Sequence, residues 1–227
     1  MIDFHTHILP GVDDGSKNLE ESLQLLQIEQ QQGIDIVVLT PHYYSSQNSP
    51  EAFFHRRQEA WSFLRGAWQQ GMPRLLLGAE VEFFDGITTL TNLQDFCIRR
   101  TSLLLLEMPF SSWGERTIRT VEELNGTGGI QIVLAHIERY LSFQGNARAL
   151  KRLRQGGILM QVNASFFEGW FSGWKALSLL DKGMVQFIGS DCHNLSSRKP
   201  NWELVPKAVM QSVEVSSKRL LRQYMYR

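Results

Sequence analysis

A chain of 227 residues with 43% hydrophobic content is long enough for one substantial core, and nothing in it calls for division into several domains. Its 23 lysines and arginines balance 23 aspartates and glutamates, so the net charge is zero, which speaks against nucleic acid or an anionic membrane surface as a partner. Only two cysteines, Cys97 and Cys192, no basic-then-apolar leader and no apolar run of about 18 residues lead to the expectation of a cytoplasmic protein without disulfide, signal peptide or membrane insertion.

The first apolar run, 2–5 (IDFH), opens the stretch MIDFHTHILPGVDDG, which gathers His5, His7, Asp13 and Asp14 without a lysine or arginine. The i, i+2 spacing puts His5 and His7 on one face of an extended strand. Residues 19–32 (LEESLQLLQIEQQQ) have helical spacing; Asn18 with Glu21 fits a capping box, and Gly33 stands where a C-terminal cap belongs. The run 34–39 (IDIVVL) leads to His42. A helical pattern over 51–70 carries His55 beside Arg56 and Arg57, read as solvated. The run 75–79 (LLLGA) ends at Glu80, with Glu82 and Asp85 read as loop residues, and 103–106 (LLLL) ends at Glu107.

A helix near 115–126 precedes the run 130–135 (IQIVLA), which ends at His136. After a helix over 145–156, the run 158–162 (ILMQV) delivers no ligand-type residue. The aromatics of 166–180 (FFEGWFSGWKALSLL) are expected mainly to pack in a helix over 174–182, with Phe166, Phe167, Trp170 and Phe171 in the preceding loop, placed to wall a bound ring or touch a neighbouring subunit. The run 185–189 (VQFIG) leads to Asp191 and His193, and a last helix near 202–225 carries the basic segment SSKRLLRQYMYR, read as a solvated helix end.

Alternation of helical segments with seven runs apolar on both faces predicts an α/β fold, an irregular seven-stranded β/α barrel. The C-terminal strand ends of such a barrel meet at one mouth, so the ligand-type residues at six of seven strand ends would converge. Carboxylates within about 5 Å of one another repel by about 3 kcal/mol per pair at an effective dielectric of about 20. Neutral imidazoles do not offset that; two or three divalent cations do, and a nitrogen and oxygen donor set without cysteine suits manganese, iron or zinc. The loop can aim only one of Asp13 and Asp14 inward, with Asp14 the preferred candidate. Cys192 and Arg198 also fit the C-x5-R spacing of cysteine-dependent phosphatases, but no glycine lies between them and Pro200 follows, which makes coincidence the better account.

The pieces HTHILPGVDDG, TPHYY, GAEVEF, LLLEMPF, AHIERY and SDCHN resemble those of the PHP (polymerase and histidinol phosphatase) superfamily, specifically its bacterial tyrosine-protein phosphatases of capsular and exopolysaccharide synthesis. The resemblance implies a distorted (β/α)7 TIM-like barrel, a single domain over 1–227, and a trinuclear manganese-type centre, with Fe, Zn, Co or Mg as alternative ions. It places His5, His7, Asp14, His42, Glu80, Glu107, His136, Asp191 and His193 on the family's metal ligands, Glu80 as a bridge, and Arg139 and Arg198 on its phosphate-contacting arginines. The implied substrate is phosphotyrosine on a membrane-associated tyrosine autokinase, with room for a homo-oligomer. A histidinol-phosphate phosphatase and a non-enzymatic, kinase-binding regulator are the alternatives. Ile137 stands where the family usually has proline, Met108 where phenylalanine is common, and similarity fades after Pro200.

Overall fold

Seven apolar runs become nine short strands in the computed structural model, which describes residues 1–225; the last two residues of the expected domain and basic tail lie outside the described residues. In chain order the elements are β1 (Ile2–Thr6), α1 (Leu19–Gln31), β2 (Ile36–Leu39), β3 (His42–Tyr43), α2 (Pro50–Ala67), β4 (Arg74–Leu77), β5 (Glu80–Glu82), β6 (Leu103–Glu107), α3 (Glu115–Leu124), β7 (Gln131–Leu134), α4 (Asn146–Gln155), β8 (Leu159–Asn163), α5 (Trp170–Asp181), β9 (Phe187–Gly189) and α6 (Lys207–Gln223). The count rises because two runs are interrupted. Pro41 offers no N–H and ends β2, and Gly78–Ala79 separates β4 from β5. The ladder nonetheless continues across both gaps, with Gly78 N donating to Leu39 O at 2.8 Å and Glu80 N to Pro41 O at 3.1 Å.

Every strand pairing is parallel, in the orders β1-β2-β4 and β3-β5-β6-β7-β8-β9. A parallel bridge between Thr6 and Cys192 brings the last strand back beside the first, where Asp191 N donates to His5 O at 2.8 Å and His7 N to Cys192 O at 2.9 Å. The result is a curled parallel sheet with helices outside it, the arrangement demanded by strands apolar on both faces.

Side-chain alternation explains where the interior changes character. Val38, Leu76, Leu103, Leu105, Leu159 and Phe187 belong to one buried inner cluster. Two-residue steps along the same strands lead from these to His42, Glu80, Glu107, Asn163 and Asp191. The inner face is therefore apolar at the N-terminal strand ends and polar at the C-terminal ends. Two places break the alternation. The β1–β2 register shifts between Asp3 and Thr6, so that Phe4 sits in the inner cluster while His5 already faces Glu80. After Ala135, also in the inner cluster, His136 adopts a φ of +28° and turns back inward.

Below this polar rim, Phe4 stacks on Phe187 at 3.9 Å, and Leu221 of α6 joins the same cluster from the N-terminal end of the strands. At the first helix, Asn18 accepts from Glu21 N at 3.0 Å, while Glu21 takes the Lys17 N–H at 2.8 Å; Gly33, with a φ of +86°, continues the chain past the cap. The 202–225 expectation resolves into a 3-10 turn at Trp202–Leu204 and then α6, separated by Pro206. The helix expected over 174–182 starts earlier, at Trp170, so Trp170 and Phe171 are helical rather than loop residues. Packing also fails to account for this face: Trp170, Phe171 and Trp174 are 91%, 62% and 61% exposed, while Phe167 is buried.

Candidate metal centre

All nine expected ligands lie in one connected cluster at the C-terminal ends of the strands, and most are fully buried. β1 supplies His5, with His7 just beyond it; β3 supplies His42, β5 Glu80 and β6 Glu107. The segments following β7 and β9 supply His136, Asp191 and His193, and the loop after β1 supplies Asp14. Three groups of donor atoms come close enough to share an ion: His7 with Asp14, His42 and His193; His5 with His7 and Glu80; and His42 with Glu80 and Glu107.

Glu80 is the hub of this cluster. One of its oxygens lies 3.0 Å from His136 Nε2, and the other lies 3.0 Å from His5 Nε2, 3.1 Å from His42 Nδ1 and 3.3 Å from His7 Nε2. His5 Nε2 and His7 Nε2 are 3.0 Å apart, and Glu107 Oε1 is 3.3 Å from His136 Nε2. Asp14, whose side chain is 67% exposed, reaches in from solvent with Oδ1 3.4 Å from His193 Nε2 and 3.8 Å from His42 Nε2. Asp13 points elsewhere, accepting from His7 Nδ1 at 2.7 Å, His42 N at 2.8 Å and Gly15 N at 3.0 Å.

This donor set fits divalent cations on its own geometry. His42 Nδ1 and His193 Nε2 are buried without a hydrogen-bond partner, although carboxylate oxygens stand close to both. Groups near one another but not aimed at one another are what ligands converging on a third atom look like. The charge balance agrees. Burial drives His7 down, yet Asp13 and Glu80 push it up to about 10; burial likewise opposes charge on His136, yet Glu107 and Glu80 raise it to about 9. Burial would raise Glu80, but the surrounding imidazoles hold it well below the usual carboxylate range. The buried carboxylates thus demand positive charge at the positions where cations would sit. His193 is pushed down to about 3 by burial and by His7 and Arg198, which keeps a lone pair free for a ligand role.

Local backbone conformation is adapted to this cluster. Among the described residues, only Arg100, His136 and Asp191 have positive φ without being glycine, and two of these three are in the site. A Cβ on Gly189 would lie 2.5 Å from His5 Cβ, and one on Gly15 would lie 2.1 Å from His7 O; both positions require glycine for the histidines to sit where they do.

Arg139 and Arg198 flank the mouth with side chains about one-third exposed, and both reach Asp191: Arg139 Nη2 bonds Oδ2, and Arg198 Nη2 lies 2.8 Å from Oδ1. Arg139 therefore pairs with Asp191 rather than with its neighbour Glu138. Sequence reasoning missed the strand without a ligand. On β8, Gln161 Oε1 accepts from His136 N at 2.7 Å and lies 3.3 Å from His5 Nδ1, while Asn163 Nδ2 donates to Asp191 Oδ2 at 2.8 Å. The available signal was a glutamine inside an otherwise apolar buried run, which requires partners.

The remaining polar candidates fall outside the cluster. Exposed His55 pairs with Glu59 at 3.3 Å, and Asp85 is exposed near Arg116. Glu82 is not a loop residue but ends β5, in register with Glu107. Cys192 is fully buried, and burial with Glu29 and Asp3 nearby pushes its thiol well above the ordinary range, the opposite of an activated nucleophile.

Comparisons with known proteins follow the same line. The family model described as capsular polysaccharide synthesis, CpsB/CapC, matches residues 1–223. The tyrosine-protein phosphatase CpsB of Streptococcus agalactiae is 31% identical over 213 residues, covering 88% of this chain and 86% of that protein. The tyrosine-protein phosphatase YwqE of Bacillus subtilis is 28% identical over 205 residues, covering 87% and 79%. A structure from work on YwqE of Bacillus subtilis and CpsB of Streptococcus pneumoniae, described there as metal-dependent tyrosine phosphatases, shares the fold with a TM-score of 0.81 at 22% identity, over 100% of this chain and 96% of that one. With its family model spanning nearly the whole chain, this protein belongs to the CpsB/CapC family of capsular polysaccharide synthesis.

Proposed function

We propose that this chain is a metal-dependent protein-tyrosine phosphatase that removes phosphate from a tyrosine autokinase at the membrane surface, acting from the cytosol in capsular or exopolysaccharide synthesis. One observation carries the reading: buried, unpartnered imidazole nitrogens and the Glu80 carboxylate converge at a mouth flanked by two arginines. Counting β2 with β3 and β4 with β5 as interrupted single strands supports a distorted (β/α)7 barrel and one domain.

His5, His7, Asp14, His42, Glu80, Glu107, His136, Asp191 and His193 would hold two or three divalent cations, and the three donor groupings support the larger number. The nitrogen and oxygen donors favour manganese, with iron, zinc, cobalt or magnesium as substitutes. When bound, such ions polarise phosphoryl oxygens and acidify water enough for it to attack phosphorus near neutral pH. The protein contributes orientation and charge. Asp13 and Gln161 fix the imidazoles from behind, Asn163 holds Asp191, and Arg139 and Arg198 offer planar guanidinium forks to the phosphoryl oxygens. A phenolate, with a pKa of about 10, departs without a strong general acid.

Hydrolysis of a phosphotyrosine peptide, measured after chelator treatment and separately after thiol alkylation, tests this reading. Loss with chelator, recovery on adding manganese and indifference to alkylation are expected, with histidinol phosphate turned over poorly. Full activity after metal stripping would overturn it.

A further inference from the structure

At the opposite end of the sheet lies a cavity of about 680 Å³ that the reaction does not use. It is bounded by the end of α2, the start of β4 and the turn before β6. Arg74 lies six residues before Glu80 along β4 and β5, which puts the Arg74 end of the cavity at most about 20 Å from the metal cluster, with Leu77 at its nearer edge. Four arginines, Arg65, Arg74, Arg99 and Arg100, line it together with Trp61 and Trp68, and its lining contains no carboxylate. None of these arginines has a carboxylate within 4.0 Å among the described residues. All four are solvent-exposed, and on a chain with zero net charge they concentrate positive charge around one cavity, a local field that favours an anion.

The backbone holds two of them in place at some cost. Thr101 N donates to Ile98 O at 2.8 Å, closing a turn whose central residues are Arg99 and Arg100, and Arg100 takes a φ of +66° where glycine would be unstrained. Trp68 supplies a flat surface: the residue is 41% exposed, and its Nε1 donates to Pro73 O at 2.9 Å. A ring oriented by that hydrogen bond, lining the same cavity as four planar cations, matches a ligand combining a flat heterocycle with several phosphates. The cavity volume lies within the range typical of small-molecule sites.

We infer that this cavity is a second, non-catalytic binding site, and that its ligand is a nucleoside di- or triphosphate. The phosphates bridge Arg99, Arg100, Arg65 and Arg74, and the base lies on Trp68.

The test is calorimetric titration of the full, metal-loaded protein with a non-hydrolysable nucleoside triphosphate, with inorganic tripolyphosphate and with the free nucleoside. The wild type is compared with Arg99→Ser/Arg100→Ser, Arg65→Ser/Arg74→Ser and Arg139→Ala, each checked for fold by circular dichroism. The expected result is nucleotide binding weakened at least tenfold in both double variants, unchanged in Arg139→Ala, and tighter than tripolyphosphate; phosphotyrosine turnover stays at the wild-type level in the double variants. Absence of nucleotide binding, or binding lost in Arg139→Ala and kept in the double variants, would overturn the site. Tripolyphosphate binding as tightly as nucleotide would overturn the identity of the ligand.

Discussion

Asp13 Oδ2 stands 2.7 Å from His7 Nδ1 and so leaves His7 Nε2 as the nitrogen that faces His5 and Glu80. The same oxygen accepts the His42 backbone N–H, tying together the two chain segments that carry neighbouring candidate ligands. Asp13 is thus an orienting residue beside the ligand cluster. Asp13→Ala should weaken metal affinity and phosphatase activity by about 10- to 100-fold, with activity partly recovered at high metal concentration. Metal titration followed by turnover checks this; an unchanged metal dependence would assign Asp13 to loop structure alone.

Arg139 and Arg198 share one carboxylate, Asp191. In the proposed role of phosphate clamp, each should cost about 2 to 4 kcal/mol of transition-state stabilisation on truncation, or roughly 30- to 1,000-fold in kcat/KM. Arg139→Lys should rescue little, because an ammonium cannot reproduce a planar fork. Steady-state kinetics of Arg139→Ala, Arg198→Ala and Arg139→Lys decide the matter, and near-normal kcat/KM in all three would remove the clamp.

Two aromatic rings lie against imidazoles of the site: Phe110 stacks on His136 at 5.8 Å and is 52% exposed, and Tyr44 stacks on His42 at 4.8 Å. Phe110, half-exposed beside His136, is the one placed to meet a phenyl ring. Phe110→Ala should raise KM for phosphotyrosine peptide by roughly 2- to 10-fold with little change in kcat, while leaving a small alkyl phosphate unaffected. Equal effects on aryl and alkyl substrates would indicate that Phe110 only packs on His136.

Beside the first strand, Trp202 Nε1 lies 3.2 Å from Asp3 Oδ2 and 3.1 Å from Glu29 Oε2, in a fully buried cluster. Burial, reinforced by Asp3, pushes Glu29 well above its ordinary value of 4.5. The unfolded chain releases this proton near the ordinary value, whereas the folded protein keeps it to higher pH. The folded state therefore binds more protons above that value, and this group's contribution to stability falls as pH rises toward the folded pKa. Glu29→Gln keeps an acceptor for Trp202 and removes the titration. Its melting temperature relative to wild type should rise from pH 4 to pH 8; a constant difference across that range would contradict the assignment.

Much of the site was legible because its residues interrupt strongly apolar runs. LLLL before Glu107, IVLA before His136 and FIGS before Asp191 announce both a buried strand and the polar group at its end. Strand continuity was less legible: Pro41 and Gly78 break the ladder as read by pairing, yet the carbonyls and amides around them still bond in sequence. The inward turn of His136 was not legible at all, since it depends on a φ of +28° stabilised by Gln161 from the next strand. Asp13 and Asp14 share a sequence context, and only the path of the loop separates the residue behind His7 from the one beside His193. The exposed face of α5 departs from expectation because its aromatics follow Gly169, which starts the helix early and turns Trp170 to solvent.

The most direct test of the metal centre is a crystal grown with manganese and measured at a wavelength where that ion scatters anomalously. The account predicts two or three strong peaks inside the ring formed by His5, His7, His42, Glu80, Glu107, His136, Asp191 and His193, with Glu80 touching more than one. A map with no peak there, from crystals of protein that hydrolyses phosphotyrosine, would contradict it.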